Sequence, residues 1–231
     1  MSMDTIYKDG IYLQQHPSWH EEDSPWKAKQ IATMLRRHNI VPSTVCEIGC
    51  GAGEILNCLA HEFGDGVVFS GYEISPQAFE ICRKKEKHNL HFFLKDLLDE
   101  GEPRFDVVMA VDVVEHVEDY FVFLRGLKKR GTYKIFHIPL DLNVLGLIRG
   151  SLMEERLSSG HIQYFTKETA LATLEETGYE LLDYYYTKSI FDLPARSWKA
   201  NLLNPLIKIC FSIHQDFAVR LFGESLLVLA K

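Results

Sequence analysis

The chain has 231 residues, 46% hydrophobic and 25% charged, which are globular values and give enough length for one large α/β core. Its formal net charge of −7 offers no general attraction to phosphate backbones, so no nucleic-acid partner is expected. No basic region followed by an apolar core opens the chain and no apolar run reaches the ~18 residues of a membrane span, so a cytoplasmic protein is expected.

The segment from Tyr7 to Trp26 is rich in aromatics and histidine (Tyr7, Tyr12, His16, Trp19, His20). Residues 1–25 either fold over a bound ligand and exclude water or form a strap that buries these rings against the sheet. Ser24-Pro25-Trp26 predicts an N-cap followed by proline at the first helical position, opening a helix to about Asn39. Its apolar positions, Trp26, Ile31, Met34 and Leu35, predict one face packed on a sheet.

A β-branched run, Ser43 to Ile48, then enters Glu47-Ile-Gly-Cys-Gly-Ala-Gly-Glu54 and the helical pattern Ile55, Leu56, Cys58, Leu59. This is a strand, a tight turn and a helix. Gly49, Gly51 and Gly53 permit positive φ and let a ligand lie against bare backbone. A dinucleotide fingerprint wants its third glycine at position 54, where this chain has Glu. Glu47 and Glu54 would repel a pyrophosphate but suit a ligand carrying an ammonium and a sulfonium. The turn therefore reads as a site for S-adenosylmethionine.

Further strands are predicted at Val67 to Ile74, Leu90 to Asp96, Phe105 to Asp112 and Thr132 to Pro139, with helices near 54–64, 76–87 and 119–130. This alternation implies a parallel sheet with helices on both faces. Glu73 ends the second strand and can accept from both ribose hydroxyls; Asp96 ends the third and can accept from an adenine amine. A helix near Lys167 to Thr177 ends at Gly178, and strands at Tyr179 to Thr187 and Ser225 to Ala230 follow. Arg83 to Lys85 and Lys128 to Arg130 sit near helix C-termini, where cations complement the dipole.

In the glycine turn, Glu73, Asp96 and the stretch Asp112 to Asp119, the chain resembles the class I S-adenosylmethionine-dependent methyltransferases, most closely small-molecule enzymes of the ubiquinone-biosynthesis type. The resemblance covers roughly residues 26 to 187, and Glu224 to Lys231 looks like the family's closing strand. It implies one α/β domain over 1–231: a Rossmann-like, seven-stranded, mostly parallel sheet whose last strand is antiparallel, between the fifth strand and the strand near 179–187. It implies S-adenosylmethionine at Glu47, Gly49, Cys50, Gly51, Gly53, Glu73, Ile74, Asp96, Leu97, Asp112 and Val113, although Val113 or backbone could replace Asp112 in its contact.

Two insertions depart from a minimal member, at 140–165 and 188–223, and both are expected to shape an acceptor pocket or an interface. In the second, Leu203, Leu206, Ile207, Cys210, Phe217, Ala218 and Leu221 recur at helical spacing. This stripe suits packing on its own domain, a homodimer contact, a substrate lid or a membrane surface.

The acceptor is expected to be a small molecule, with oxygen preferred over nitrogen. A hydroxyl acceptor needs a base. The candidates are His161, in Gly160-His-Ile-Gln-Tyr-Phe-Thr166 where the family often places a histidine before an aromatic, and His116; His137 reads as a core residue. Cys46, Cys50 and Cys58 lack zinc-site spacing and no Asp/Asn cluster follows the fourth strand, so no metal is expected. Five cysteines make no disulfide framework. Two other functions remain open: a nicotinamide-dependent oxidoreductase, opposed by Glu54, and a non-catalytic cofactor-binding module that acts through a partner protein.

Overall fold

The computed structural model describes residues 19, 21–99, 101, 103–193 and 198–231. Tyr7, Tyr12, His16 and His20 lie outside the described residues.

Local chemistry sets the helix starts. A three-residue turn, Glu21–Asp23, runs straight into α1 (Ser24–Arg37), so Asp23 and not Ser24 is the cap residue, and its side chain makes no capping bond. Proline still stands in the first turn, where its missing N–H has no helical acceptor to lose. Ser75 caps α3 (Pro76–Cys82), Asp119 caps α4 (Tyr120–Lys128), and Thr166 caps α7 (Lys167–Glu176) in a reciprocal box with Thr169. α2 (Glu54–Phe63) follows the glycine turn directly.

The strands are β1 (Thr44–Ile48), β2 (Val68–Glu73), β3 (Leu90–Leu94), β4 (Phe105–Val111), β5 (Gly131–Pro139), β6 (Leu181–Tyr186) and β7 (Ser225–Ala230). They form one sheet in the order β3-β2-β1-β4-β5-β7-β6. Neighbours from β3 to β5 pair in parallel, whereas β7 runs antiparallel to both β5 and β6. The expected place and direction of the last strand are borne out.

Central strands are apolar on both faces. In β4, Val107 and Met109 point into one core with Ile31, Leu35, Leu56 and Phe69, while Val108 and Ala110 point into the other with Leu124, Phe136 and Leu174. That near-continuous hydrophobic run is what a parallel strand covered on both sides requires.

The first insertion folds into α5 (Val144–Arg149) and α6 (Ser151–Ser158); the second into α8 (Ser189–Asp192), α9 (Trp198–Ile213) and α10 (Gln215–Phe222). The predicted apolar stripe of the second insertion is only partly buried. Of its members Ala218 is buried and Cys210 packs against the core, beside Phe211 and Val219 which the stripe did not include, but Leu206 and Phe217 are exposed, at 53% and 55%. The reason is geometric: α9 meets the core through Phe211, against Tyr186 and Phe191, and Leu206, five positions earlier and so about 140° round the helix, faces outward. The Leu203 side chain lies outside the described residues. No described helix is long and apolar enough to cross a membrane.

Candidate functional site

The C-terminal ends of β1, β4 and β5 open on a cavity of about 560 Å³. It is lined by the glycine turn, by the segment after β4, by α1 and by residues of both insertions, among them Glu155, Ser159, Ser189 and Asn204. Such a crevice beyond the carboxyl ends of parallel strands is where open α/β sheets bind ligands.

The glycine turn is built as expected. Gly49, Gly51 and Gly53 have φ of +65°, +54° and +75°. At Gly53 a Cβ would lie 2.6 Å from the Phe92 ring, so both backbone conformation and space demand glycine there. At Gly51 a Cβ would lie 2.7 Å from the indole of Trp19. Trp19 therefore packs directly over the bare backbone of the turn.

Glu47 lines the cavity with a carboxylate that is 1% exposed and whose Oε2 has no hydrogen-bond partner among the described residues. Burial pushes its carboxyl well above the usual range, against the pull of Lys27. Glu54 also lines the cavity, but Lys85 pairs with it at 3.0 Å, so its charge is already compensated.

Glu73 sits 6% exposed beneath the turn. Its carboxylate accepts from the backbone N–H of Gly51 at 2.8 Å, Ile74 at 2.8 Å and Ser75 at 2.7 Å. Burial raises its pKa, and those three donors pull it back. Cys50 lines the cavity; Glu73, Ile74, Asp96, Leu97 and Val113 stand outside the lining. Asp96 accepts from Leu98 N at 2.8 Å, Leu97 is fully buried, and Val113 packs against Gly49.

Asp112 follows β4 with φ of +53°, a left-handed conformation rare outside glycine and best tolerated by Asn and Asp. It lines the cavity and makes two contacts, with Lys27 Nζ at 2.6 Å and His137 Nδ1 at 2.5 Å. Burial alone would raise its pKa, but His137 and Lys27 hold it far below the usual range. His137 is 3% exposed, as a core histidine would be, yet it lines the cavity. Sequence reasoning missed this pairing and missed Lys27. Among local signals, only the position of Asp112 at a strand end pointed to it.

The two candidate histidines come together. Ile162 N and Gln163 N donate to the Glu115 carbonyl at 2.8 and 3.0 Å, which straps the segment after α6 onto the turn after β4. The rings of His116 and His161 then stand 4.9 Å apart at 75°. His161 Nδ1 donates to Asp141 Oδ2 at 2.7 Å, and His116 Nδ1 to the Gly160 carbonyl at 3.2 Å. Burial, and then the neighbouring His161, push the His116 pKa down to about 4, so its ring is neutral at pH 7. Both histidines line the cavity, as does Glu115, which sequence reasoning did not single out.

A family model described as a methyltransferase domain matches residues 19–184. The ubiquinone biosynthesis O-methyltransferase of Alkalilimnicola ehrlichii is 28% identical over 81 residues, and that match spans 32% of this chain and 32% of the relative. Among solved structures, the magnesium protoporphyrin IX methyltransferase of Synechocystis PCC 6803 with bound SAH superposes with a TM-score of 0.65 at 16% identity, covering 99% of this chain and 98% of that one. The N-methyltransferase NodS of Bradyrhizobium japonicum WM9, in complex with S-adenosyl-L-homocysteine, gives 0.56 at 16% identity over 92% of this chain and 90% of its own. At these identities the likeness to solved structures is one of fold.

Proposed function

This chain belongs to the methyltransferase-domain family and is an S-adenosylmethionine-dependent methyltransferase; on that premise we propose that it methylates a small-molecule acceptor, at oxygen in preference to nitrogen. One observation carries the reading: a single cavity takes in the glycine turn with Glu47 at its cofactor side and His161, held from behind by Asp141, at its acceptor side.

The residues present fit S-adenosylmethionine. A buried carboxylate oxygen without a partner is costly and calls for a cation, and the ligand's ammonium is one. The glycine turn lines the cavity, and Glu73, which orders that turn from behind the lining, is assigned to the ribose hydroxyls. Asp96 and Leu97 are assigned to the adenine side, Ile74 and Val113 to its flanks. When bound, the cofactor supplies an electrophilic methyl group and a neutral thioether as leaving group.

What the protein must add is orientation, water exclusion and removal of one proton. Trp19 covers the turn, and both insertions contribute to the wall of the cavity. Asp141 fixes the His161 ring with Nδ1–H donating, which leaves Nε2 as the basic nitrogen for an acceptor hydroxyl. We take residues 1–231 as one methyltransferase unit in which 140–165 and 188–223 define the acceptor.

The test is a metabolite screen that follows S-adenosylhomocysteine release. Hydroxylated small molecules are expected among the hits. Release only with amines, or only with protein or nucleic-acid acceptors, would refute the assignment.

A further inference from the structure

Lys134 stands in the first half of β5, toward the sheet edge opposite the cavity, paired with Val108 of β4 and Ala230 of β7. By strand alternation its side chain shares a face with Phe136, whose core includes Leu124 of α4 and Leu174 of α7. The residue is 3% exposed, yet its ammonium makes no ion pair or hydrogen bond among the described residues. It meets the ring of Tyr179, with Nζ 5.7 Å from the centroid. Lys128, in the last turn of α4, places its own Nζ 5.9 Å from the same ring.

The charged neighbours of Lys134 are Lys128 and Arg104, and both are cations. Arg104 is exposed just ahead of β4 and also makes no ion pair among the described residues. Cations near helix C-termini complement the dipole, and Lys128 does so by donating to the Gly178 carbonyl beyond α7. That role does not extend to Lys134. A buried ammonium needs an opposite charge or acceptors in place of its lost water. The Tyr179 face gives it a cation–π contact but accepts none of its N–H bonds in the ordinary way. Burial, and then Lys128 and Arg104, push the Lys134 pKa down to about 8. At pH 7 the group is still charged, in a place that opposes the charge.

We propose that Lys134, Lys128 and Arg104 form a binding site for a phosphoryl group. None of the three lines the cavity, so the site is separate from that of the cofactor. A dianion suits it because it answers several cations at once, whereas a carboxylate offsets only one. Lysine ammoniums meet phosphate as point charges and a guanidinium meets it as a fork. The group arrives either as free phosphate or on a phosphomonoester.

The test uses the full chain and inorganic phosphate, titrated by calorimetry and phosphorus NMR at an ionic strength held constant with sodium chloride. One saturable site per chain is expected, with the same affinity when S-adenosylhomocysteine is saturating. Acetate should bind about tenfold more weakly or worse, having one charge in place of two. Glycerol 3-phosphate separates the sources: tighter binding than phosphate identifies a phosphomonoester, and weaker binding identifies free phosphate.

Lys134→Met should weaken phosphate binding by about tenfold or more and Arg104→Gln severalfold, each with unchanged S-adenosylhomocysteine affinity. Without phosphate at pH 7, Lys134→Met should melt at a higher temperature than the wild type, because an unpaired buried charge has gone. Phosphate binding that survives Lys134→Met, that S-adenosylhomocysteine displaces, or that acetate matches would overturn the site. So would the lack of any saturable signal, or a Lys134→Met protein that melts lower, since the ammonium would then be satisfied without an anion.

Discussion

Asp112 and His137 meet across the ends of β4 and β5 with 2.5 Å between Oδ1 and Nδ1, while the other Asp112 oxygen lies 2.6 Å from Lys27 of α1. One carboxylate thus ties a helix on one face of the sheet to the floor of the cavity.

Asp112→Asn keeps the left-handed backbone but removes the charge. Breaking a fully buried pair costs about 3–5 kcal/mol. With side-chain exposures of 17% for Lys27 and 29% for Asp112, a loss of about 2 kcal/mol is expected. A carboxyl held below its unfolded pKa of about 4 contributes stability that is complete above that pH and lost as pH falls through it toward the folded value. The wild type should therefore lose more stability than Asp112→Asn between pH 5 and pH 3. Equal acid slopes in denaturant titrations would contradict the assignment.

Glu47→Gln should weaken S-adenosylhomocysteine binding by roughly 10- to 100-fold, the ~1.5–3 kcal/mol of a charge-assisted hydrogen bond. Methylthioadenosine, which lacks the ammonium, should bind both proteins alike. The same substitution should stabilise the free protein at neutral pH. A carboxyl whose pKa is raised on folding loses stability as pH climbs above the unfolded value of about 4.3, and glutamine has no such loss. Calorimetry with both ligands separates the two effects.

Trp19 should report ligand entry. With Trp26 and Trp198 replaced by phenylalanine, its emission should change on titration with S-adenosylhomocysteine, at the midpoint that calorimetry gives. An unchanged spectrum at saturation would place the indole away from the bound ligand.

His161→Ala should lower turnover by roughly 10²–10⁴ and leave S-adenosylhomocysteine affinity nearly constant. Asp141→Asn acts one step back, through the ring it positions, and should move the pH profile of kcat/KM as well as its height. Parallel losses of cofactor affinity, turnover and thermal stability in both variants would mean a structural role.

Much of the fold was legible in local sequence. The β-branched run before the three glycines, the helical spacing after them, and the Thr166 and Gly178 boundaries of α7 are each set by a few neighbouring residues. The antiparallel seat of β7 came from family resemblance, because pairing direction leaves little mark on the composition of a buried strand. The start of α1 slipped by one residue because the Glu21–Asp23 turn already had near-helical backbone, which weighed more than the capping preference of Ser24.

The sequence alone determined the glycine turn and the acidic character of its entrance, because φ > 0 and a bare backbone are properties of individual residues. It marked His116 and His161 as candidates. It did not mark Lys27, His137 or Glu115 as members of the same cavity. Lys27 reaches Asp112 across 85 positions, and His137 reaches it across 25. Those distances are fixed by how α1 packs on the sheet and by the register of β4 on β5. Glu115 stands beside His116 in the chain, but its lack of a partner arises only when the strap at 160–163 covers it. Burial and partnership belong to the packed molecule, since both depend on what distant segments bring to a side chain and on the water they exclude.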